Sequence, residues 1–508
     1  MSGSDPPGGG DEIDPANADD EFESANAEEG FETPTADESF DPKAAFPDAT
    51  EYEPTALFPD ATEMDLRPGA DGCYKCSTCD TTCPVAEVDD EFPGPKFQGP
   101  EQWRLTRKDD HDVDPSIEKC SNCLRCDHAC PTDVPFSRMH NAARAAYVDR
   151  QQGRLSRTYW RNRLLSNYEL LARIASTVPW LANAIANRSI VRRFNEAVLG
   201  ITSEREVPTF ASETFREWWR ARGGAAASAE RARAAREASG SVTHEASTRE
   251  TGEAPNGGDG DPPPSADRKR VAYFHGCYTN YNTPEVGRAT VRVFEGFGYE
   301  VIVPPQRCSG TPMFANGMLD DARRAATTNV DELVAAIEDG ADVVASCTSC
   351  SLSLRREYPD LFDLEGIETV ATNTYDALEY LRIHEDLEGA LQETSVDLPN
   401  LAYHAPCHAR NQGLDGQARE VLAAIDGVEV HDVGDSCSGI SGTYGWKDEH
   451  YETSMAIGEE MFQHMERTDA ETGLTECPTC AMQMEHGSGY EIRHPMEILE
   501  AALAVTGE

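Results

Sequence analysis

Hydrophobic and polar positions divide the chain into six stretches of different character. Residues 1–66 carry no apolar period; acidic and rich in Pro, Gly, Ala and Thr, they cannot bury enough apolar surface to fold alone and read as a disordered acidic tail. In 67–136 short apolar runs are broken up by cysteines. Across 137–222, Leu164, Tyr168, Leu171, Ala175 and Val178 recur at the spacing of one helix face. Pro179 is expected to end or kink that helix, with Trp180, Leu181 and Ile185 opening a second apolar stripe. Residues 223–268 start with an Ala/Arg/Glu-rich piece and finish in Asn256-Gly-Gly-Asp-Gly-Asp-Pro-Pro-Pro264, the composition of a flexible linker. From Val271 onward apolar runs of strand length alternate with helical patterns such as 320–336. The reading is α+β: a helical N-terminal module and helical segment, then two α/β domains at 269–385 and 399–505.

Those last two stretches repeat one another. Val271-Ala-Tyr-Phe-His-Gly-Cys277 is matched by Leu401-Ala-Tyr-His-Ala-Pro-Cys407. Val301-Ile-Val303 before Cys308-Ser309-Gly310 is matched by Val428-Glu-Val430 before Cys437-Ser438-Gly439. Val343-Val-Ala-Ser-Cys347-Thr-Ser-Cys350 has its counterpart in Cys477-Pro-Thr-Cys480. Equivalent cysteines are offset by 130, 129, 130 and 130 residues, the mark of an internal duplication. Each cysteine falls at a strand end, where α/β sheets put their sites.

Cysteine spacing then changes the picture from fold to chemistry. Cys73-Tyr-Lys-Cys76-Ser-Thr-Cys79-Asp-Thr-Thr-Cys83-Pro84 and Cys120-Ser-Asn-Cys123-Leu-Arg-Cys126-Asp-His-Ala-Cys130-Pro131 are both C-x2-C-x2-C-x3-C-P, the bacterial ferredoxin spacing. Three thiolates of each run grip one [4Fe-4S] cube and the fourth reaches the other cube. Cys73, Cys76, Cys79 and Cys130 are thus expected to hold one cluster, and Cys120, Cys123, Cys126 and Cys83 the other. Zinc also uses C-x2-C pairs, but it leaves the third and fourth cysteines and the proline unexplained. Phe92, Phe97 and Trp103 are expected to cover the clusters. The other eight of the 16 cysteines form two four-thiol sets, Cys277, Cys308, Cys347, Cys350 and Cys407, Cys437, Cys477, Cys480. Four soft ligands suit one iron–sulfur cubane or one zinc. His275, His404 and His408 flank them, as hydrogen-bonding supports or as ligands.

Charge bears on surroundings rather than fold. With 91 acidic and 44 basic side chains the net charge is -47, which argues against a nucleic-acid partner and is similar to the composition of salt-in halophile proteins. Segment 138–222 inverts it, with 15 Arg and no Lys against seven acidic residues. Its most apolar stretch, 170–186, is too short and polar to cross a bilayer, which takes about 20 apolar residues. It fits an interfacial helix with Arg on one face and Trp and Leu on the other, or a helical layer against the ferredoxin module or a partner subunit. In the tail, Phe-Pro-Asp-Ala-Thr-Glu occurs at 46–51 and 58–63, either a duplicated low-complexity fragment or a pair of docking motifs. No apolar leader precedes the acidic N-terminus, and cysteines grouped for metal rather than disulfides fit a reducing cytoplasm. No GxGxxG run, P-loop or Ser/His/Asp set stands out, so flavin and substrate chemistry are expected on another chain.

The doubled C-x30-C-S-G-x36-C-x2-C arrangement resembles the Cys-rich "CCG" domain pair of heterodisulfide reductases, of lactate and glycolate oxidase iron–sulfur subunits, and of the C-subunit of anaerobic glycerol-3-phosphate dehydrogenases. The order of modules is similar to the last family. So are Tyr273-Phe-His-Gly-Cys277-Tyr-Thr-Asn-Tyr-Asn282, Pro312-Met-Phe-Ala-Asn-Gly317, Gly439-Ile-Ser-Gly-Thr-Tyr-Gly445 and Val207-Pro-Thr-Phe-Ala-Ser-Glu-Thr-Phe215. The resemblance covers about 67–220 and 269–505. It implies an iron–sulfur subunit, peripheral on the inner face of the cell membrane, that passes electrons from FAD-containing partner subunits oxidising sn-glycerol 3-phosphate to a membrane quinone. A lactate, glycolate or disulfide-linked complex is the alternative. One departure stands out: where the family carries adjacent cysteines, this chain has Ser309 and Ser438, which removes the extra thiolate that a non-cubane cluster needs.

Overall fold

The computed structural model describes residues 72–103, 112–240, 269–392, 394, 396, 398 and 400–504. The acidic tail with its repeated hexapeptide, and most of the expected linker, lie outside them.

Two parallel sheets carry the C-terminal half. The first has the order β2-β1-β3-β4, built from β1 (Arg270–Phe274), β2 (Glu300–Ile302), β3 (Asp342–Ala345) and β4 (Thr374–Asp376). The second has the order β6-β5-β7-β8, built from β5 (Leu401–Tyr403), β6 (Val430–Asp432), β7 (Thr472–Leu474) and β8 (Glu491–Arg493). The shared order is the structural form of the sequence repeat. Register is set by pairs such as Val271 with Val301, Ala272 with Val343 and Leu401 with Thr472. Both faces of β1 are covered, so it reads as a continuous apolar run instead of an alternating one. Val271 and Tyr273 pack with Ala289, Val293 and Phe294 of helix Pro284–Gly296. Ala272 and Phe274 pack with Ala322, Ala326 and Leu333 of helix Leu319–Glu338. This is the period-two division of a strand between its faces.

The two halves share one apolar core. The cluster containing Val271, Tyr273 and Phe294 also contains Leu401, Tyr403, Leu474 and Leu499. The contact is two-fold in character. Arg292 on Pro284–Gly296 pairs with Glu500 on Pro495–Ala502 at 2.6 Å, and Arg382 on Ala377–His384 pairs with Glu420 on Gln417–Leu422 at 2.7 Å. The carboxyl ends of both sheets are thereby turned toward one space.

Two elements differ from expectation. The stretch that opens the expected linker at 223 is a helix, Gly224–Gly240. Its Ala-, Arg- and Glu-rich sequence has high helix propensity, and its small residues form a packing face. Ala232 and Ser228 are fully buried, and the Ser228 hydroxyl accepts the Val301 N–H at 3.0 Å. That covers the exposed edge of β2, a donor row that would otherwise need another partner. The single helix expected from Leu164 to Val178 is two, Arg157–Ser166 and Tyr168–Ala175, broken at Asn167, and Pro179 begins the next, Pro179–Ala186. Proline suits a helix start because its missing N–H has no partner there.

Phe215 joins the helical segment to the first half. It is fully buried, stacks on Trp219 and meets Tyr273 edge-on at 5.5 Å, and a Cβ at Gly287 would sit 2.6 Å from its ring. Phe215→Ala is expected to cost about 3–5 kcal/mol, read as a lower midpoint in chemical denaturation at high salt. A loss near zero would mean that the segment does not depend on this anchor.

Candidate functional site

The two ferredoxin runs fold alike at each step. Lys75 and Ser77 in the first, and Asn122 and Leu124 in the second, hold left-handed backbone at φ 60, 65, 59 and 62°. Non-glycine residues there cost about 1–2 kcal/mol each. A strain repeated at the same motif positions curls the backbone around the thiols, as a multi-thiolate grip requires. Cys83 and Cys130 share one extended conformation (φ -81 and -77°), and Pro84 begins a short helix after the first.

Charged neighbours place Cys79 beside Cys73 and Cys130, and Cys126 beside Cys123, Cys120 and Cys83, while Cys79 and Cys126 also share one apolar cluster. Burial pushes the Cys79 thiol up to about 12, helped by the charges of Asp80, Cys73 and Cys130. Burial also raises Cys126, helped by Asp127, Cys123, Cys120 and Cys83. At Cys120 burial opposes ionisation, yet the His140 ring at 3.7 Å and Arg144 bring it down to about 6. Cys76 is exposed, so the first group reaches the surface, whereas Cys83 is buried. Phe92 packs against Cys83, and Trp103 is 38% exposed instead of covering the thiols.

The second group abuts the C-terminal half of the duplication. Cys83 and Phe92 share an apolar cluster with Cys407, Cys437 and Tyr444, with Cys120 and Cys123 packed against it. Arg125 donates to the Asp435 carbonyl at 2.8 Å, and the Ser441 hydroxyl donates to the Ser121 carbonyl at 2.5 Å.

All eight remaining cysteines line one cavity of about 310 Å³. Cys277 and Cys407 lie in the first turn of short helices, and Cys347 and Cys477 cap the helices that follow β3 and β7. The Cys277 and Cys308 sulfurs are 3.5 Å apart. The Cys477 sulfur is 3.6 Å from the Ser349 hydroxyl of the opposite half, so the two sets face each other. In each C-x2-C pair one thiol hydrogen-bonds the other, which lowers Cys350 and Cys477 and raises Cys347 and Cys480. Among the described residues, no three Cys, His, Asp or Glu groups stand together as a single-ion site. Burial holds His275 and His404 at about 3, so both rings are neutral.

Ser309 and Ser438 aim into these sets. Ser438 donates to the Cys480 sulfur at 3.3 Å, and Ser309 hydrogen-bonds Cys350. Gly439 follows Ser438 at φ 86°, and any Cβ there would strike the Ser454 carbonyl, so this turn requires glycine. Sequence reasoning treated the serines as absent thiolates and missed them as donors. It also missed Glu169, whose carboxylate accepts the Cys308 N–H at 3.0 Å and ties the helical segment to the first set.

Residues 69–134 match the 4Fe-4S dicluster domain family, and 271–355 and 401–485 match the Cysteine-rich domain family. The anaerobic glycerol-3-phosphate dehydrogenase C-subunit of Escherichia coli (strain K12) is 32% identical over 436 residues, which cover 85% of this chain and 98% of that protein. The chain belongs to the family of the anaerobic glycerol-3-phosphate dehydrogenase C-subunit. It is an iron–sulfur protein with a dicluster module and two Cysteine-rich domains. More distant members of the wider group include the B-subunit of the CoM/CoB fumarate reductase of Methanothermobacter marburgensis, 29% identical over 46% of each chain. Lactate utilization protein A of Oceanobacillus iheyensis is 26% identical over 45% of this chain and 96% of its own. No described helix of this family member is long and apolar enough to cross a membrane.

The crossed grouping has a direct test. Cys83→Ala is expected to cost the iron group gripped by Cys120, Cys123 and Cys126 and to leave that of Cys73, Cys76 and Cys79 in place, by iron titration and EPR of the anaerobically loaded chain. Loss at the Cys73 group instead would refute the crossing.

Proposed function

We propose that this chain is the iron–sulfur electron-transfer subunit of an anaerobic glycerol-3-phosphate dehydrogenase. It takes electrons from FAD-containing partner subunits that oxidise sn-glycerol 3-phosphate and delivers them to a membrane quinone. The observation that carries the reading is the adjacency of the thiol groups. They run from Cys76 at the surface, through the buried Cys83 and the half-buried Cys123, to Cys407 and across the cavity to Cys347 and Cys350. Bound clusters would supply one-electron storage and transfer.

Cys73, Cys76, Cys79 and Cys130 hold one [4Fe-4S] group in this proposal, and Cys120, Cys123, Cys126 and Cys83 the other. Cys277, Cys308, Cys347 and Cys350, and Cys407, Cys437, Cys477 and Cys480, each hold a further iron–sulfur group. Two four-thiol sets that line one cavity, in a chain that also carries a dicluster module, support a multi-iron group in each set. Ser309 and Ser438 donate hydrogen bonds to sulfur and do not replace a thiolate. Such donors favour the more negative, reduced state. Ser438→Ala is therefore expected to lower the midpoint potential of the second-half site by about 40 mV, the one-electron equivalent of a hydrogen bond worth about 1 kcal/mol, with iron content unchanged. An unchanged potential would remove the serine from this role.

Membrane contact is proposed through the outward faces of helices Tyr168–Ala175, Pro179–Ala186 and Ser189–Leu199. Ile174, Trp180, Ile190 and Phe194 are 62, 71, 81 and 63% exposed there. Leu164 and Leu171, which the sequence stripe joins to this face, instead line the cavity. At molar salt the Debye length is about 3 Å, so apolar contact and not arginine attraction has to hold the protein to a lipid surface. Replacing Trp180, Ile190 and Phe194 by Asp is expected to release the protein to the soluble fraction at high salt. Dye-linked oxidation of glycerol 3-phosphate by the flavoprotein should survive, while quinone reduction fails. Membranes lacking this chain that still reduce quinone with glycerol 3-phosphate would end the reading, and a loss confined to lactate-driven reduction would shift the donor.

A further inference from the structure

A line of hydroxyls runs through the first half of the duplication. The Ser353 hydroxyl donates to the Glu357 carboxylate at 2.6 Å. Ser353 and Thr311 are hydrogen-bonded at 3.0 Å, and Thr311 and Ser309 at 3.3 Å. Ser309 in turn hydrogen-bonds Cys350. Ser353 and Glu357 are the two ends of a π-helical turn, Ser353–Glu357, a widening that occurs mostly at functional sites. By the repeat offset, the equivalents of Thr311, Ser353 and Glu357 are Ile440, Gln483 and Gly487. The second half thus keeps the serine at the sulfur and has nothing behind it. It forms the same sheet order without the line, so the fold does not require one.

Glu357 is 2% exposed, and its Oε1 is buried without a partner. An ionised carboxylate is costly in such a place. Burial pushes the carboxyl up to about 7; Asp360 and Asp127 add to the rise, and the Ser353 hydrogen bond and Arg356 oppose it. Around the same turn Arg355 is paired with Glu379 at 2.8 Å, Glu368 is exposed, and burial keeps Tyr358 neutral. Each hydroxyl has one proton to donate, so the line has two ordered states. With Glu357 ionised, Ser353 donates to it, Thr311 to Ser353 and Ser309 to Thr311, and the Cys350 sulfur receives nothing from Ser309. With Glu357 protonated every bond reverses, and Ser309 donates to the sulfur.

We propose that Glu357 is a positioning residue that couples a proton, through the hydroxyls of Ser353, Thr311 and Ser309, to reduction of the group held by Cys277, Cys308, Cys347 and Cys350. The redox part rests on the iron–sulfur reading of that set given above. One electron, passed on from the Cys407 set, adds to the first set. One proton from water adds to the Glu357 carboxylate and forms its O–H bond, so the net charge of the region is unchanged. The reversed line then presents a donor to sulfur, which favours the reduced state. The sign follows: reduction raises the proton affinity of Glu357, so the potential falls as pH rises above about 7 and levels off below it.

The test uses the full-length, anaerobically iron-loaded chain in two measurements. The first is an EPR-monitored dithionite titration at several pH values, with the first-half signal assigned by its loss in Cys277→Ala. Its potential is expected to fall with pH toward about 59 mV per tenfold drop in proton concentration, the limit for one electron and one proton. Glu357→Gln still accepts from Ser353 but cannot titrate, and is expected to abolish the slope. Thr311→Val keeps the carboxyl but interrupts the line, and is expected to lose most of it. Both are expected to leave the profile of the Cys407 set in place, and iron content and melting temperature equal to wild type identify the variants that have folded. The second measurement is the infrared band of protonated Glu357, assigned by its absence from Glu357→Gln. Its pH midpoint is expected to shift in Ser309→Ala, where the change lies beyond both intervening hydroxyls. A flat wild-type potential, a slope kept in folded Glu357→Gln or Thr311→Val, or an unmoved infrared midpoint would each overturn the coupling. The two readings fail separately. If no signal depends on Cys277, the iron–sulfur reading of this set falls, and the infrared midpoint still decides whether the hydroxyls link Glu357 to Cys350.

Discussion

The arrangement depends on one packing constraint: two parallel sheets whose carboxyl ends must face each other. The shared core from Val271 and Tyr273 through Leu401, Tyr403 and Leu499 imposes it. Parallel strands collect their loops at one end, so a duplicated sheet packed with two-fold character brings eight loop cysteines to one cavity. Neither half could enclose such a space alone. The buried thiols are hard to ionise without a cationic partner, and several are raised by burial and by each other. A bound metal group would supply that positive charge.

Much of this was legible in the chain. Cysteine spacing marked the ferredoxin runs, and the constant offset of about 130 residues fixed the duplication and five of the eight strands. β4, β7 and β8 escaped because Thr-Tyr-Asp, Thr-Gly-Leu and Glu-Ile-Arg are three-residue strands with no apolar run. The helix Gly224–Gly240 escaped because its packing face is made of Ala and Ser, which a search for large apolar residues passes over. The two faces of the helical segment merged in the sequence because its helices are short and broken. Leu170 and Leu171 are neighbours in the chain, yet one is exposed and the other lines the cavity. Long-range facts were out of reach altogether. Spacing says nothing of which half meets the ferredoxin module, or that Ser309 and Ser438 point at sulfur.

The acidic surface and the arginine-rich segment are consistent with one another. Buried and half-buried arginines in the segment serve as internal ties, among them Arg161 to Glu449, Arg205 to the Gly445 carbonyl and Arg222 to Glu295. Guanidinium groups suit this work because their fork of donors meets carboxylates and carbonyls in fixed geometry. Other arginines of the segment, among them Arg173, Arg188 and Arg193, are exposed and share the outward faces with Ile174, Trp180, Ile190 and Phe194.

The central claim is that the second ferredoxin group communicates with the thiols of the C-terminal half before those of the first. Spin–spin broadening in the EPR spectrum of the reduced, fully loaded chain measures it most directly. Cys407→Ala is predicted to cut the broadening on the Cys120 group to the part that the Cys73 group contributes, and Cys277→Ala to leave it unchanged. Broadening relieved by Cys277→Ala and retained in Cys407→Ala would contradict the account.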